Sequence, residues 1–158
     1  MTTKYNLVMP LHMIIILTDI SFNCAATIAY DKNTAQLMIF ILQDIFLVMG
    51  VIVLLITFSS TFVFRAGLIE VLAKEFWFTL LISSCYLVSS IVLHVLSLKD
   101  RWNVKKYTWP THLHAVYLTQ RTLSVVYYFC YKRSSLWLSN PIYHKDSEWL
   151  REQIRERF

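Results

Sequence analysis

The chain has 158 residues, of which 56% are hydrophobic and only 16% are charged, with a formal net charge of +5. Soluble domains carry about a quarter charged residues, so this composition excludes an ordinary soluble enzyme, and the length allows one domain. The positive charge does not indicate nucleic-acid binding, because the Lys and Arg residues lie between apolar runs rather than on one folded face.

Four long apolar runs predict four transmembrane helices. A bilayer core about 30 Å thick needs about 20 mostly apolar residues per helix. The runs cover residues 7–30, 35–64, 76–98 and 113–131. Since no run alternates as a barrel strand would, the predicted fold class is an all-α membrane protein, a bundle of four transmembrane helices with short loops. Residues 1–131 would form this domain.

The first run has a second interpretation, a cleaved signal peptide, since Lys4 precedes it and small residues follow at Cys24, Ala25 and Ala26. Asp19 interrupts the run, and signal peptides contain only about 7–15 apolar residues, so a retained helix is favoured. In the second run, Gly50 is predicted to lie at a close contact between helices.

Basic residues set the predicted orientation. The membrane side that would hold both termini carries nine Lys or Arg residues and the other side carries five. The positive-inside rule therefore places both termini in the cytoplasm.

Residues 132–158 would form a cytoplasmic tail with a short amphipathic helix at about residues 146–158. Trp149 and Leu150 lie there among charged residues, and Leu150, Ile154 and Phe158 are four residues apart, on one helical stripe. The stripe would lie on the membrane face or on a partner protein. A solvated, frayed tail is the alternative, because so short a helix is marginal in isolation.

Polar residues inside the predicted helices indicate an internal cluster. Asp19 lies in the first helix, Gln43 and Asp44 in the second, and Gln120 and Arg121 in the fourth. Each buried charge costs about 2.5–3.5 kcal/mol on insertion scales and therefore needs a partner. At about 1.5 Å per residue, the three charges share a depth of roughly 13–17 Å.

The shared depth predicts that Arg121 pairs with Asp44, Asp19 or both, and that Gln43 and Gln120 complete the hydrogen bonds. A structural role is favoured. The alternative is a proton or ion relay in a small transporter, channel or carrier accessory subunit. His94, near the end of the third helix, is expected to cap that helix or to reach the membrane interface.

Motifs for catalysis are absent from the sequence, which contains no GxSxG, no HExxH and no glycine-rich phosphate loop. Intramembrane hydrolysis by Asp19 and Asp44 is the one concrete enzymatic alternative, but catalytic acid pairs need each other rather than an arginine. His112 and His114 lack further ligands at metal spacing, so no metal or cofactor is predicted. Membrane lipid is the expected partner, and neither nucleic acid nor a small-molecule substrate is expected.

Six short strings give the sequence a family resemblance. In chain order they are Gln43-Asp44-Ile45; Thr61-Phe62-Val63-Phe64-Arg65-Ala66-Gly67-Leu68; Leu93-His94-Val95 with Arg101-Trp102; Gln120-Arg121; Tyr131-Lys132-Arg133; and Asp146-Ser147 with Trp149-Leu150-Arg151. In this order and spacing the sequence resembles the transmembrane protein 138 family over nearly its whole length. The N-terminal segment and the loop from Lys99 to Thr111 match that pattern poorly.

The resemblance implies a non-enzymatic membrane protein required for building primary cilia. It implies action at the ciliary base or transition zone with other membrane proteins of the tectonic and Meckel type, and delivery of membrane cargo into cilia. The family is linked to Joubert-type ciliopathy and also to vacuole-like membranes. It supplies no catalytic or ligand residue, so the polar cluster follows from the residues alone.

Overall fold

The computed structural model of the chain describes residues 3–29, 32–60, 69–101 and 110–139. Within these ranges the chain forms four α-helices. They are α1 (Thr3–Ile28), α2 (Asn33–Ser59), α3 (Ile69–Arg101) and α4 (Thr111–Leu138). The predicted tail helix, with Trp149, Leu150, Ile154 and Phe158, lies outside the described residues.

The helices differ in length from the predicted runs. Helix α3 begins seven residues before the predicted start at residue 76, and α4 continues seven residues past the predicted end at residue 131. Both extensions contain charged residues, which hydropathy does not count as part of an apolar run although they are good helix formers. Lys132 and Arg133, predicted as the first tail residues, therefore belong to α4.

Three of the four helices contain segments long and apolar enough to cross a membrane, Val8–Ile28, Asn33–Ser59 and Phe76–Lys99. By this criterion, applied to the described residues, the prediction of spanning helices is confirmed for α1, α2 and α3 but not for α4. Helix α4 falls short because its mean hydropathy is reduced by Gln120, Arg121 and several Ser and Thr residues. Length is not the obstacle, since 28 residues extend about 42 Å.

Helices that follow each other in the chain pack side by side. The most extensive interfaces join α3 to α4 and α1 to α2, and α1 also contacts α4, so the four helices enclose a common core. The ends of α1 and α3 and the starts of α2 and α4 lie at one end of the bundle, called here the α1–α2 end.

Side-chain polarity is inverted relative to a soluble bundle. Large apolar side chains are exposed on every helix, such as Leu17, Ile56, Val88 and Phe129, each at least 59% exposed. Polar side chains are as frequent as apolar ones among the buried residues. A water-soluble helix presents the opposite pattern, so the outer surface suits a lipid environment.

Hydroxyl groups on the outer surface are satisfied by their own helices. Ser21 donates to the carbonyl of Leu17, Ser84 to Leu80 and Thr122 to Leu118, each four residues back, at 2.8–3.0 Å. Such a bond leaves no free hydroxyl donor, which matters where no water can supply a partner.

Gly50 lies at a close contact between α1 and α2, as predicted. A Cβ atom at this position would lie 3.0 Å from Cγ2 of Ile15. The Gly50 carbonyl accepts a hydrogen bond from the Tyr131 hydroxyl at 3.0 Å. Glycine thus allows three helices to meet here, because a side chain would separate α1 from α2.

Candidate functional site

Asp19 is the centre of the polar core, with only 2% of the residue exposed. Its Oδ1 accepts a hydrogen bond from Gln43 Nε2 at 2.8 Å, and its Oδ2 accepts from the hydroxyls of Tyr86, at 2.9 Å, and Tyr128. Asn23, one turn later in α1, also donates to Oδ2 at 3.2 Å. An ionised carboxylate is an acceptor only, so this shell of donors satisfies it from all four helices.

The amides around Asp19 use their hydrogens fully. Gln43 Nε2 donates to Asp19 and also to Asn23 Oδ1 at 3.1 Å. Gln120 Nε2 donates to the Tyr86 hydroxyl at 3.3 Å and to Ser90 Oγ at 3.2 Å. These bonds fix the orientation of both amides, because only the nitrogen can donate. The remaining oxygens, Oε1 of Gln43 and of Gln120, are buried and have no hydrogen-bond partner among the described residues.

Among the described residues, no salt bridge joins Arg121 to Asp19 or Asp44, so the predicted ion pair is not formed. Asp44 instead pairs with His94, whose Nδ1 lies 2.9 Å from Asp44 Oδ1. His94 is buried and stacks on Phe40 at a centroid distance of 4.0 Å, so its ring lies inside the bundle, and its position relative to the membrane interface stays a prediction. Gln43, next to Asp44, contacts Asp19 instead, because direction around the helix axis decides contact and adjacent residues differ by about 100°.

Arg121 faces the α1–α2 end. Its Nη2 donates to the backbone carbonyl of Asn23 at 3.4 Å, and its guanidinium carbon lies 4.8 Å from the centre of the Tyr117 ring. Its Nε is buried without a hydrogen-bond partner in the described part of the chain. The guanidinium therefore contacts one aromatic ring and one backbone carbonyl, and most of its N–H groups have no acceptor among the described residues.

A cavity of about 290 Å³ opens at this end between all four helices. Eight of the eleven lining residues have a polar side chain, but most of the surface that they present to the cavity is apolar. The lining consists of Asn23, Ala26, Thr27, Gln36, Phe40, Gln43, Leu93, His94, Ser97, Tyr117 and Arg121. The cavity thus extends from the bundle end to Gln43, which contacts Asp19.

A second set of polar side chains links the helices at the other end of the bundle. The Tyr131 hydroxyl lies 2.9 Å from Nδ1 of His12, and Nε2 of His12 lies 3.3 Å from Thr57 Oγ1. Thr79 and Ser134 join α3 to α4 through their hydroxyls at 2.6 Å. Four helices are therefore linked by side-chain hydrogen bonds at more than one level.

Comparison with known proteins identifies the family. The family described as transmembrane protein 138 matches residues 36–153. The chain belongs to the transmembrane protein 138 family.

Relatives bearing that name extend the match to nearly the full length. The chain is 34% identical to transmembrane protein 138 of Mus musculus over 98% of this chain and 96% of the relative. It is 35% identical to the protein of that name from Xenopus tropicalis and 32% identical to the one from Danio rerio, in both cases over 96% of this chain and 94% of the relative. No solved structure matches this chain. The names of these relatives describe a transmembrane protein and mention no enzymatic activity.

The transmembrane protein 138 match includes the parts of the polar core that α2, α3 and α4 contribute, whereas Asp19 and Asn23 precede it. Sequence reasoning missed Asn23, Tyr86, Tyr128 and the pairing of His94. Asn23 follows Asp19 by four residues and so lies on the same helix face, which is a usable signal. Tyr86 and Tyr128 carried no distinct signal, because tyrosine in an apolar run is also typical of membrane interfaces.

Proposed function

We propose that this member of the transmembrane protein 138 family is a non-enzymatic multipass membrane protein required for cilium assembly. It acts as a structural or assembly subunit at the ciliary base or transition zone and supports trafficking of ciliary membrane proteins. Near-full-length family membership is the observation that carries the proposal, because the resemblance implies this role. Its partners would be membrane lipid and other transition-zone membrane proteins of the tectonic and Meckel type.

The geometry of the polar core supports a structural role rather than conduction. Asp19 is enclosed by donors from Gln43, Tyr86, Tyr128 and Asn23, and it is almost completely buried. A group that passes protons or ions needs a water-filled path or an exchangeable partner. Asp19 instead joins four helices into one rigid unit, which suits a subunit of a membrane assembly.

We further propose that α4 spans the membrane as the fourth helix and that both termini are cytoplasmic. The support lies in how α4 is oriented. Its polar residues Gln120, Ser124 and Ser134 are buried against the other helices, whereas Leu118, Val125 and Phe129 are 64–67% exposed. The face that would meet lipid is therefore apolar, although the mean hydropathy of the helix is low.

Epitope accessibility tests the number of spans. Tags are placed at the two ends of the full chain and probed in cells with the plasma membrane intact or selectively permeabilised. With four spans, both tags lie on the same side of the membrane, and antibodies reach them only after permeabilisation. Tags on opposite sides would refute four spans, because an odd number of crossings separates the termini.

Localisation and rescue test the ciliary role. A tagged copy at native expression level is imaged in ciliated cells, and its neighbours are recorded by proximity labelling. A ring at the ciliary base with transition-zone neighbours, together with restored cilia in cells lacking the endogenous relative, is expected. Distribution over vacuolar or endolysosomal membrane with transporter neighbours and no restored cilia would refute the proposal and favour a transporter-associated role.

A further inference from the structure

We propose that the cavity at the α1–α2 end binds the headgroup of an anionic phospholipid, with Arg121 as the residue that contacts the phosphate. The acyl chains would lie outside the cavity, in the groove between α1 and α4. This binding is independent of the ciliary role proposed above.

The charge balance of the cavity favours an anion. The two carboxylates near it are already used, Asp19 by its four donors and Asp44 by His94. Arg121 has no salt bridge within the described residues and holds a buried Nε without a hydrogen-bond partner. A guanidinium presents donors in a fork that matches a phosphate, so the missing partner has the chemistry of a phosphate oxygen.

The size of the cavity limits what can enter. A volume of about 290 Å³ equals roughly ten water molecules at about 30 Å³ each. This accommodates a phosphate with a small polar substituent. Ser97 also lines it and carries a hydroxyl group, which suits an oxygen of a glycerol phosphate.

Arg121 also borders the space outside the bundle, which distinguishes a lipid from a free anion. Together with Asn23 and Thr27, it lines a second, open groove between α1 and α4. The outer part of this groove is formed by Ile20, Cys24 and Ile28, all exposed. A phosphate at Arg121 would therefore lie where the cavity meets this open groove, with the acyl chains on the groove side.

The depth of Arg121 agrees with this placement. The residue lies ten positions after the start of α4 at Thr111, which is about 15 Å. Side chains on a helix lean toward its N-terminus, and Arg121 leans onto Tyr117 in that direction. Since α4 is about 12 Å longer than the hydrocarbon core of about 30 Å, the guanidinium approaches the interface, where lipid phosphates lie.

Native mass spectrometry of the full chain, purified in detergent, tests the proposal. The protein is exchanged into mixtures of phosphatidylglycerol and phosphatidylcholine with identical acyl chains, and the bound fraction of each is measured. The wild-type chain is expected to retain phosphatidylglycerol preferentially. Arg121→Gln is expected to weaken that binding about tenfold, which corresponds to about 1.4 kcal/mol, whereas Arg121→Lys keeps the charge and most of the preference.

Two further variants separate binding from folding. Lys132→Gln removes an exposed cation from the same helix outside both cavities and should leave the lipid preference unchanged. Ala26→Leu adds three carbon atoms inside the cavity without changing charge and should reduce the preference even where Arg121→Gln fails to fold. Equal phosphatidylglycerol binding by wild type and by Arg121→Gln or Ala26→Leu would overturn the proposal. Thermal stabilisation by glycerol phosphate equal to that by the lipid would overturn it in favour of a soluble anion.

Discussion

Removal of the Asp19 carboxylate exposes how the polar core stabilises the bundle. In Asp19→Ala, the hydroxyl hydrogens of Tyr86 and Tyr128 lose their acceptor, whereas Gln43 and Asn23 keep other partners. An orphaned buried donor costs about 1–3 kcal/mol, so the two hydroxyls predict a loss of about 2–6 kcal/mol. Total stabilities are only about 5–15 kcal/mol, so this single change removes a large share.

The second substitution, Tyr128→Phe, removes one of the orphaned donors. In the wild-type chain it costs one bond to a carboxylate that keeps three other donors, but in Asp19→Ala it should recover stability. Interhelical hydrogen bonds in membrane proteins couple by about 0.6 kcal/mol on average and about 1.7 at most. A charge-assisted bond lies at the upper end, so we expect a coupling of about 1–1.7 kcal/mol.

The coupling is measured as a double-mutant cycle of unfolding free energies in detergent. Asp19→Ala combined with Ser134→Ala provides the control, because Ser134 bonds Thr79 at the other end of the bundle and shares no partner with Asp19. The effects of these two substitutions on the unfolding free energy should add within about 0.5 kcal/mol. Additive behaviour of Asp19→Ala with Tyr128→Phe would show that the carboxylate and the hydroxyl do not interact as the structure places them.

Two further substitutions probe helix packing and the second buried pair. Gly50→Leu should lower the unfolding free energy by about 1–3 kcal/mol, because the new side chain overpacks against Ile15. Met49→Leu, on the exposed face of the same helix, is the control and should change the unfolding free energy by less than about 0.5 kcal/mol. Equal effects of the two substitutions in a thermal denaturation assay would contradict a close contact at Gly50. Asp44→Ala should destabilise more than the double replacement Asp44→Leu with His94→Phe, because an apolar pair leaves no buried polar group unpaired and keeps the stack on Phe40. If the double variant proves as unstable as the single one by the same assay, the instability of Asp44→Ala does not come from leaving His94 unpaired.

The helical fold was largely predictable, since apolar runs longer than 20 residues have few alternatives in a membrane. The contact at Gly50 was predictable for the same reason, because glycine in such a run serves close approach. The charged ends of the helices were not predictable from hydropathy. For this reason the predicted runs at 76–98 and 113–131 are shorter than α3 and α4.

The partners inside the polar core were predictable only in part. Counting residues along each helix brings Asp19, Asp44 and Arg121 to one level. Gln43 and Gln120 are next to the last two, and Tyr86 links Asp19 to Gln120. Rotation about each helix axis is set by packing of all four helices together, and one sequence contains little information on it. This is how Arg121, adjacent to Gln120, comes to face the cavity instead of a carboxylate.

The inward polar face of α4 has a consequence for biosynthesis. A helix that contains Gln120 and Arg121 together with several serines partitions poorly from the translocon into lipid by itself. Helices α1 to α3 precede it in the chain and supply Asn23, Tyr86 and Ser90 as partners for those side chains. As the proposed fourth span, α4 would therefore enter the bilayer only once the earlier helices have assembled, and the order of synthesis would become part of how this chain folds.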